Sequence, residues 1–97
     1  MSKTEENLMT AFTGESMARN KYGHFAEIAR KEGYRYIAKI IEETSENERY
    51  HALEELKLLY GERTTIQNLK EAIEGERYES EEMYPTFARE AEVDGHR

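Results

Sequence analysis

The stretch "NLMTAFTGE" (residues 7–15) recurs as "NLKEAIEGE" (residues 68–76), and this repeat decides how the 97-residue chain is interpreted. The two copies agree, in the same order, at Asn, Leu, Ala, Gly and Glu. Further along, "YGHFA" (22–26) corresponds to "YPTFA" (84–88). The part of the chain that follows residue 65 therefore repeats its beginning.

Apolar residues recur at the three- and four-residue spacing of helices that pack in bundles. The first helix is predicted at about 4–32, and its inner seam contains Leu8, Ala11, Glu15, Ala18, Tyr22, Phe25 and Ala29. A second helix is predicted at about 34–60, with the stripe Ile37, Ile41, Thr44, Glu48, His51 and Leu58. A third is predicted at about 65–94, with Ile66, Leu69, Ala72, Ile73, Glu76, Met83 and Phe87 inside. Because the connections are tight, we predict one all-α domain over 1–97, an antiparallel helical bundle.

The third helix carries one more residue than the first between Glu76 and Tyr84. An extra residue in a helix is typical of a π-bulge, and π-bulges often occur at functional sites. Pro85 lacks a backbone donor and adds to the distortion. We therefore predict that the helix departs from regular α geometry between residues 76 and 85.

The composition limits the classes of function. The formal charge of −7 disfavours binding to nucleic acid through phosphate contacts. The 97 residues contain no cysteine, which excludes disulfides and Cys-ligated metals within them. No apolar run approaches the roughly 20 residues of a membrane helix, and no signal peptide is recognisable. These features predict an acidic cytoplasmic protein that does not bind membranes.

Two glutamates occupy seam positions where apolar residues are expected. An ionised carboxylate at Glu15 or Glu76 costs several kcal/mol unless it is paired or binds a cation. Pairing with Arg or Lys of a neighbouring helix is one explanation, and a metal ion is the other. Gly14 and Gly75 precede these glutamates, and each weakens its helix. A close approach of another backbone would explain the two glycines.

The second helix adds the pair Glu48-x-x-His51, which by itself could be a surface pair. Together with Glu15 and Glu76 it forms a set of inward groups, and Glu79 follows one turn after Glu76. Carboxylate oxygens with one imidazole suit Fe²⁺ or Mn²⁺ better than metals that prefer sulfur. Several converging carboxylates suit two cations, since they balance the cations' charge.

The repeat also predicts a fourth helix beyond residue 97, which would echo the second and carry another Glu-x-x-His pair. Two explanations for its absence remain open. Either a further C-terminal segment completes a four-helix bundle, or another copy of the chain does. In the second case two first hairpins could pack about a two-fold axis, or helices could exchange between chains.

Three segments resemble the helical, non-haem di-iron domain of the rubrerythrin family, in the ferritin-like superfamily. They are "AFTGESMARNKYGHFAEIARKEG" (11–33), "EETSENERYHA" (42–52) and "GERYESEEMYPTFAREAEVDG" (75–95). The resemblance implies a ferritin-like bundle that binds two iron ions, with Zn²⁺ or Mn²⁺ as alternatives. It implies the following metal ligands: Glu15, Glu48, His51, Glu76 and Glu79.

The resemblance also implies catalytic roles. Glu79 and His51 match the pair that exchange as ligands of one iron when the redox state changes. Tyr22 and Tyr84 match tyrosines that hydrogen-bond ligand carboxylates, although both could be packing residues only. Rubrerythrins usually add a rubredoxin-like domain whose four cysteines hold iron, and these residues lack that centre.

The function that follows from the resemblance is reduction of hydrogen peroxide, in defence against oxidative stress. An external electron donor, rubredoxin-like or other, would restore Fe²⁺. One alternative is a ferroxidase in which O₂ oxidises Fe²⁺ for iron handling. Another is an inert helical fragment or a self-associating bundle. A homodimer or a domain-swapped oligomer is expected.

Overall fold

The computed structural model describes residues 1–95, and nearly all of them are helical. The elements are α1 (Lys3–Lys31), α2 (Arg35–Tyr60), α3 (Thr65–Tyr78), a π-helical segment (Glu79–Met83) and α4 (Tyr84–Val93). The last three form one continuous helical stretch, so the prediction of an all-α chain with three long helices is confirmed. The assignment of 1–97 to a single domain stays a prediction, and positions 96 and 97 lie outside the described residues.

Side chains fix where the helices begin. The Ser2 hydroxyl accepts a hydrogen bond from the Glu5 backbone N–H (3.1 Å), and the Glu5 side chain accepts one from the Ser2 N–H, which completes a capping box. Thr64 and Gln67 form the same pair of bonds at the start of α3. Each box satisfies amide groups that have no partner inside the helix.

The first compact unit, Met1–Glu62, is a hairpin of α1 and α2. Ala26 on α1 and Ala38 and Ala52 on α2 are its buried hydrophobic residues. Small side chains at these points let the two helices approach closely. Gly33 has a φ of +91° in the turn between them, a backbone conformation that costs little only for glycine.

Two polar contacts also join α1 to α2. The Ser45 hydroxyl donates a hydrogen bond to the Arg19 carbonyl oxygen (2.8 Å). Near the turn, the Arg30 guanidinium forms an ion pair with the Glu42 carboxylate. Both contacts are exposed, so they set the alignment of the helices more than the stability of the hairpin.

The second compact unit begins at Arg63 and contains α3, the π-helical segment and α4. The backbone N–H of Tyr84 donates to the carbonyl oxygen of Glu79, five residues earlier, which is the π-helical pattern. The predicted departure from α geometry between residues 76 and 85 is therefore confirmed. The segment accommodates the one residue by which the two repeats differ.

Many residues predicted to face inward are exposed in the structure. They include Phe25 (46%), Ile37 (49%), Leu58 (72%), Leu69 (55%), Ile73 (56%) and Phe87 (53%). Within residues 1–95 the only buried hydrophobic residues are three alanines. Apolar faces of this extent usually mark surfaces that bind another protein segment.

The expected close approach at Gly14 and Gly75 is wrong for the described residues. A Cβ atom added at either glycine would meet no other atom within 4 Å, apart from the chain neighbours and local helix backbone excluded from this measurement. Space alone therefore does not require glycine at these two places. Gly33 differs, because its positive φ disfavours any other residue.

We expect Gly14→Ala to raise the free energy of unfolding by about 0.5–1 kcal/mol, since alanine lowers the entropy of the unfolded chain and favours helix. Gly33→Ala should lower it by about 1 kcal/mol or more, because of the positive φ. Urea denaturation followed by circular dichroism measures both. A destabilising Gly14→Ala would indicate that another backbone does approach α1 in the assembled protein.

Candidate metal centre

Three of the predicted ligands come together in the hairpin. Glu15 on α1 and Glu48 and His51 on α2 each place a potential ligand atom within 4.8 Å of the other two. The three- and four-residue spacings that predicted their inward direction therefore bring them to one place. Two carboxylates and one imidazole are the groups that Fe²⁺ and Mn²⁺ accept as ligands.

Glu48 and His51 lie one turn apart on α2. The distance between Glu48 Oε1 and His51 Nδ1 is 4.0 Å, which is too long for a hydrogen bond. The Glu48 side chain is 24% exposed and the His51 side chain 61% exposed. The carboxylate is thus partly covered by the hairpin, whereas most of the imidazole is exposed.

Glu55, on the next turn of α2, was missed by the sequence analysis. It follows His51 by four residues and Glu48 by seven, so all three share one face of the helix. The predicted stripe passed from His51 directly to Leu58, although the helical spacing includes residue 55. That spacing was the signal that could have identified Glu55.

Glu55 and Glu15 are neighbours across the hairpin. Burial, followed by a hydrogen bond and charge repulsion from the Glu15 carboxyl group, raises the pKa of Glu55 from 4.5 to about 7. The charge of His51 acts in the opposite direction, and that of Glu48 raises the pKa further. In the metal-free protein, one proton between the two carboxyl groups relieves their repulsion near neutral pH.

The buried oxygens test whether a metal ion fits this site. Glu15 Oε2 and Glu55 Oε1 are both buried, and among the described residues neither has a hydrogen-bond donor unless one of the two carboxyl groups is protonated and donates to the other. Buried carboxylate oxygens without a donor need a proton or a cation. Ligand atoms around one metal ion, at about 2.1 Å each, lie at most about 4.2 Å apart. The potential ligand atoms of Glu15, Glu48 and His51 lie within 4.8 Å of one another, so these side chains need only small movements to bind one metal ion.

The remaining predicted site residues are distributed over both units. Tyr22 lies on α1, is partly buried, and places its ring 6.0 Å from the ring of Phe25. Glu76, Glu79 and Tyr84 belong to the second unit. Glu79, the first residue of the π-helical segment, is partly buried, whereas Glu76 and Tyr84 are exposed. Their roles stay predictions.

The α1–α2 hairpin and the cluster of Glu15, Glu48 and His51 are typical of one class of protein. This class consists of helical bundles that bind metal through inward Glu residues and Glu-x-x-His pairs. The rubrerythrin family model matches residues 6–97. The chain belongs to the rubrerythrin family, which is a family of di-iron proteins, and the resemblance stated from the sequence is confirmed.

The relatives agree with this assignment. A putative rubrerythrin of Methanocaldococcus jannaschii is 43% identical over 98% of this chain and 57% of its own length. The rubrerythrins of Porphyromonas gingivalis and Nitratidesulfovibrio vulgaris are each 41% identical, over 97% and 98% of this chain and 54% and 56% of their own lengths. The chain thus spans about half the length of the curated relatives it matches.

Iron is the metal that the family supports, and the comparisons give no support to Zn²⁺ or Mn²⁺ as the resident ion. Among residues 1–95, no helix is both long enough and apolar enough to span a membrane.

We expect the stability of the metal-free protein to depend on Glu55. Because folding raises the pKa of Glu55 from 4.5 to about 7, the folded state binds the proton more tightly, and its free energy of unfolding should fall as the pH rises through this range. Glu55→Gln removes this titration and should stabilise the metal-free protein above pH 7 by about 1–3 kcal/mol. The two proteins should differ less at pH 4.5.

Urea denaturation at pH 4.5, 6 and 8, with a chelator present, measures this effect. Glu54→Gln is the matched control, since Glu54 is its neighbour on α2 and its side chain is 70% exposed. The control should leave the pH dependence of stability unchanged. An equal response in the two variants would show that Glu55 keeps an ordinary pKa.

Proposed function

We propose that the chain forms part of a di-iron centre that reduces hydrogen peroxide to water, as a rubrerythrin-like peroxidase in oxidative-stress defence. The observation that carries this proposal is the cluster of Glu15, Glu48 and His51, with a buried Glu15 oxygen that accepts no hydrogen bond from another residue type within residues 1–95. Membership of the rubrerythrin family supports the metal and the reaction class. A cytoplasmic location belongs to the same proposal.

The ligand set in this proposal is Glu15, Glu48, His51, Glu76 and Glu79. The carboxylates would hold two cations close together and neutralise their charge. Two bound Fe²⁺ ions supply two electrons, and with two protons these convert one H₂O₂ into two H₂O. The 97 residues contain no cysteine, so the proposed electron donor, rubredoxin-like or other, lies outside them.

Glu79 and His51 are proposed to exchange as ligands of one iron when its oxidation state changes. Two local features support this role. His51 is 61% exposed and can change rotamer, and Glu79 starts a π-helical segment. Tyr22 and Tyr84 are proposed to donate hydrogen bonds to ligand carboxylates and to keep them oriented.

We also propose that two copies of the chain build each centre. The connection between α2 and α3, residues 61–64, spans at most about 14 Å. The 26-residue helix α2 is about 39 Å long. A ferritin-like bundle contains one long crossover connection. In the proposed dimer, α3 of one copy packs with the hairpin of the other, so that no crossover along α2 is needed.

The exposed apolar faces support this assembly. Ile37 and Leu58 on α2, and Leu69, Ile73 and Phe87 in the second unit, are each about half exposed or more. Exchange of the second unit between two chains would cover both faces. It would also bring Glu76 and Glu79 of one copy to the Glu15 cluster of the other, in a homodimer with exchanged helices.

Metal analysis with sedimentation tests the assembled centre. We expect a dimer that holds at least one iron per chain after anaerobic loading with Fe²⁺. Glu15→Ala should lose about one metal per centre, whereas Glu27→Ala, at a 72% exposed side chain on the same helix, should not. A monomer with less than one metal per chain would contradict the assembly. Unchanged stoichiometry in Glu15→Ala would remove Glu15 from the ligand set.

Stopped-flow absorbance tests the reaction. The Fe²⁺-loaded protein, mixed anaerobically with H₂O₂ or with O₂-saturated buffer, should be oxidised at least about tenfold faster by peroxide, a barrier difference of about 1.4 kcal/mol. Glu15→Ala should lose the fast phase. If O₂ reacts as fast as peroxide or faster, the ferroxidase reaction is the better assignment. If neither oxidant reacts with a loaded dimer, the inert alternative holds.

A further inference from the structure

A groove between α1 and α2 has no role in the function proposed above. It encloses about 360 Å³, and Phe12 and Leu53 form apolar parts of its wall. Three further lining residues, Ser16, Arg49 and Ala52, are each the next residue in the chain after one of the clustered residues Glu15, Glu48 and His51. Successive residues of a helix point about 100° apart, so the groove and the metal cluster share the same turns but lie on different faces of the hairpin.

The charge of this groove is opposite to that of the whole chain. The 97 residues contain 21 acidic and 14 basic side chains. Two arginines, Arg19 and Arg49, line the groove, whereas among the described residues no carboxylate does. Arg49 Nη1 lies 3.2 Å from Glu46 Oε1, which neutralises part of its charge. The Arg19 guanidinium forms no ion pair or hydrogen bond within residues 1–95, so it is available to a partner.

Arginines beside apolar side chains suit a partner that carries carboxylates, because Arg is enriched at the anchoring positions of protein interfaces. At physiological ionic strength a charge acts over about 8 Å, so the net charge of −7 does not keep an acidic partner from this groove. The acidic remainder of the chain would disfavour the same partner at other places. The charge pattern therefore selects both an acidic partner and its orientation.

The proposed centre needs an electron donor from outside the 97 residues. We propose that the groove is the docking surface for this donor, and that the donor is an acidic electron-transfer protein whose carboxylates contact Arg19 and Arg49. Two encounters would deliver one electron each, which returns two Fe³⁺ to two Fe²⁺ and leaves two donor molecules oxidised by one electron each. The inference rests on the proposed function and adds the surface through which the centre is reduced.

The position of the groove suits electron transfer to the cluster. A helix with its side chains is about 10–12 Å across, so a donor in the groove lies about one helix diameter from Glu15, Glu48 and His51. The rate of electron tunnelling falls exponentially with distance, and a path this short favours it. In the proposed dimer the second unit of the other copy covers the face that carries the cluster. The groove lies on a different face and stays accessible to a donor.

Nuclear magnetic resonance tests the docking surface without redox chemistry. The ¹⁵N-labelled, metal-free chain is titrated with zinc-substituted rubredoxin, a small acidic protein that cannot exchange electrons in this form. The largest shifts are expected at the amides of Ser16, Arg19 and Ala52. Arg19→Gln should weaken binding about three- to fivefold, as expected for one exposed charge pair, and Arg19→Glu should weaken it further. Lys21→Gln, which removes the same charge from α1 outside the lining of the groove, should bind like wild type.

Stopped-flow absorbance then tests electron entry. The iron-loaded protein, oxidised with peroxide, is mixed with reduced rubredoxin or with hydroquinone, a small neutral reductant. Arg19→Gln should slow reduction by rubredoxin about three- to fivefold at low donor concentration and leave reduction by hydroquinone unchanged. Lys21→Gln should react like wild type with both reductants. Circular dichroism and sedimentation confirm that the variants keep the fold and assembly of wild type.

The outcomes separate this inference from the function on which it rests. Shifts outside the groove, or equal weakening by Arg19→Gln and Lys21→Gln, would overturn the docking surface and leave the metal centre in place. Equal slowing of both reductants by Arg19→Gln would show an effect on the centre itself and would also overturn the inference. If peroxide does not oxidise the loaded protein, the proposed function falls, whereas the titration of the metal-free chain still decides whether the groove binds the donor.

Discussion

The carboxyl groups of Glu15 on α1 and Glu55 on α2 impose the main physical constraint on the hairpin. Both are partly desolvated, and they repel each other when both are ionised. Glu15 Oε2 and Glu55 Oε1 are buried without a partner among the described residues. A hairpin whose buried hydrophobic residues are three alanines gains little from burial that could offset this cost. The unfavourable charge is tolerable if a proton or a cation completes the site.

The same geometry explains why the hairpin can hold a metal. Small residues bring α1 and α2 close together, the Ser45–Arg19 hydrogen bond aligns them, and the positive φ of Gly33 permits the tight turn. These features set which helix faces meet, and Glu15 then lies opposite the turns that carry Glu48 and His51. Local backbone rules thus bring the three potential ligands together in the metal-free chain. A cation would add stability by satisfying the oxygens that folding leaves without partners.

Much of this arrangement could be predicted from the sequence, because helical spacing determines direction. The apolar neighbours of Glu15 predicted its inward position, and the one-residue difference between the repeats predicted a departure from α geometry between residues 76 and 85, where the π-helical segment Glu79–Met83 lies. Two points could not be read in this way. Gly14 lacks the close neighbour that its type suggested, since composition does not report distance. Helical spacing could have added Glu55 to the stripe on α2, but only the position of α1 shows that its carboxyl group is buried against Glu15.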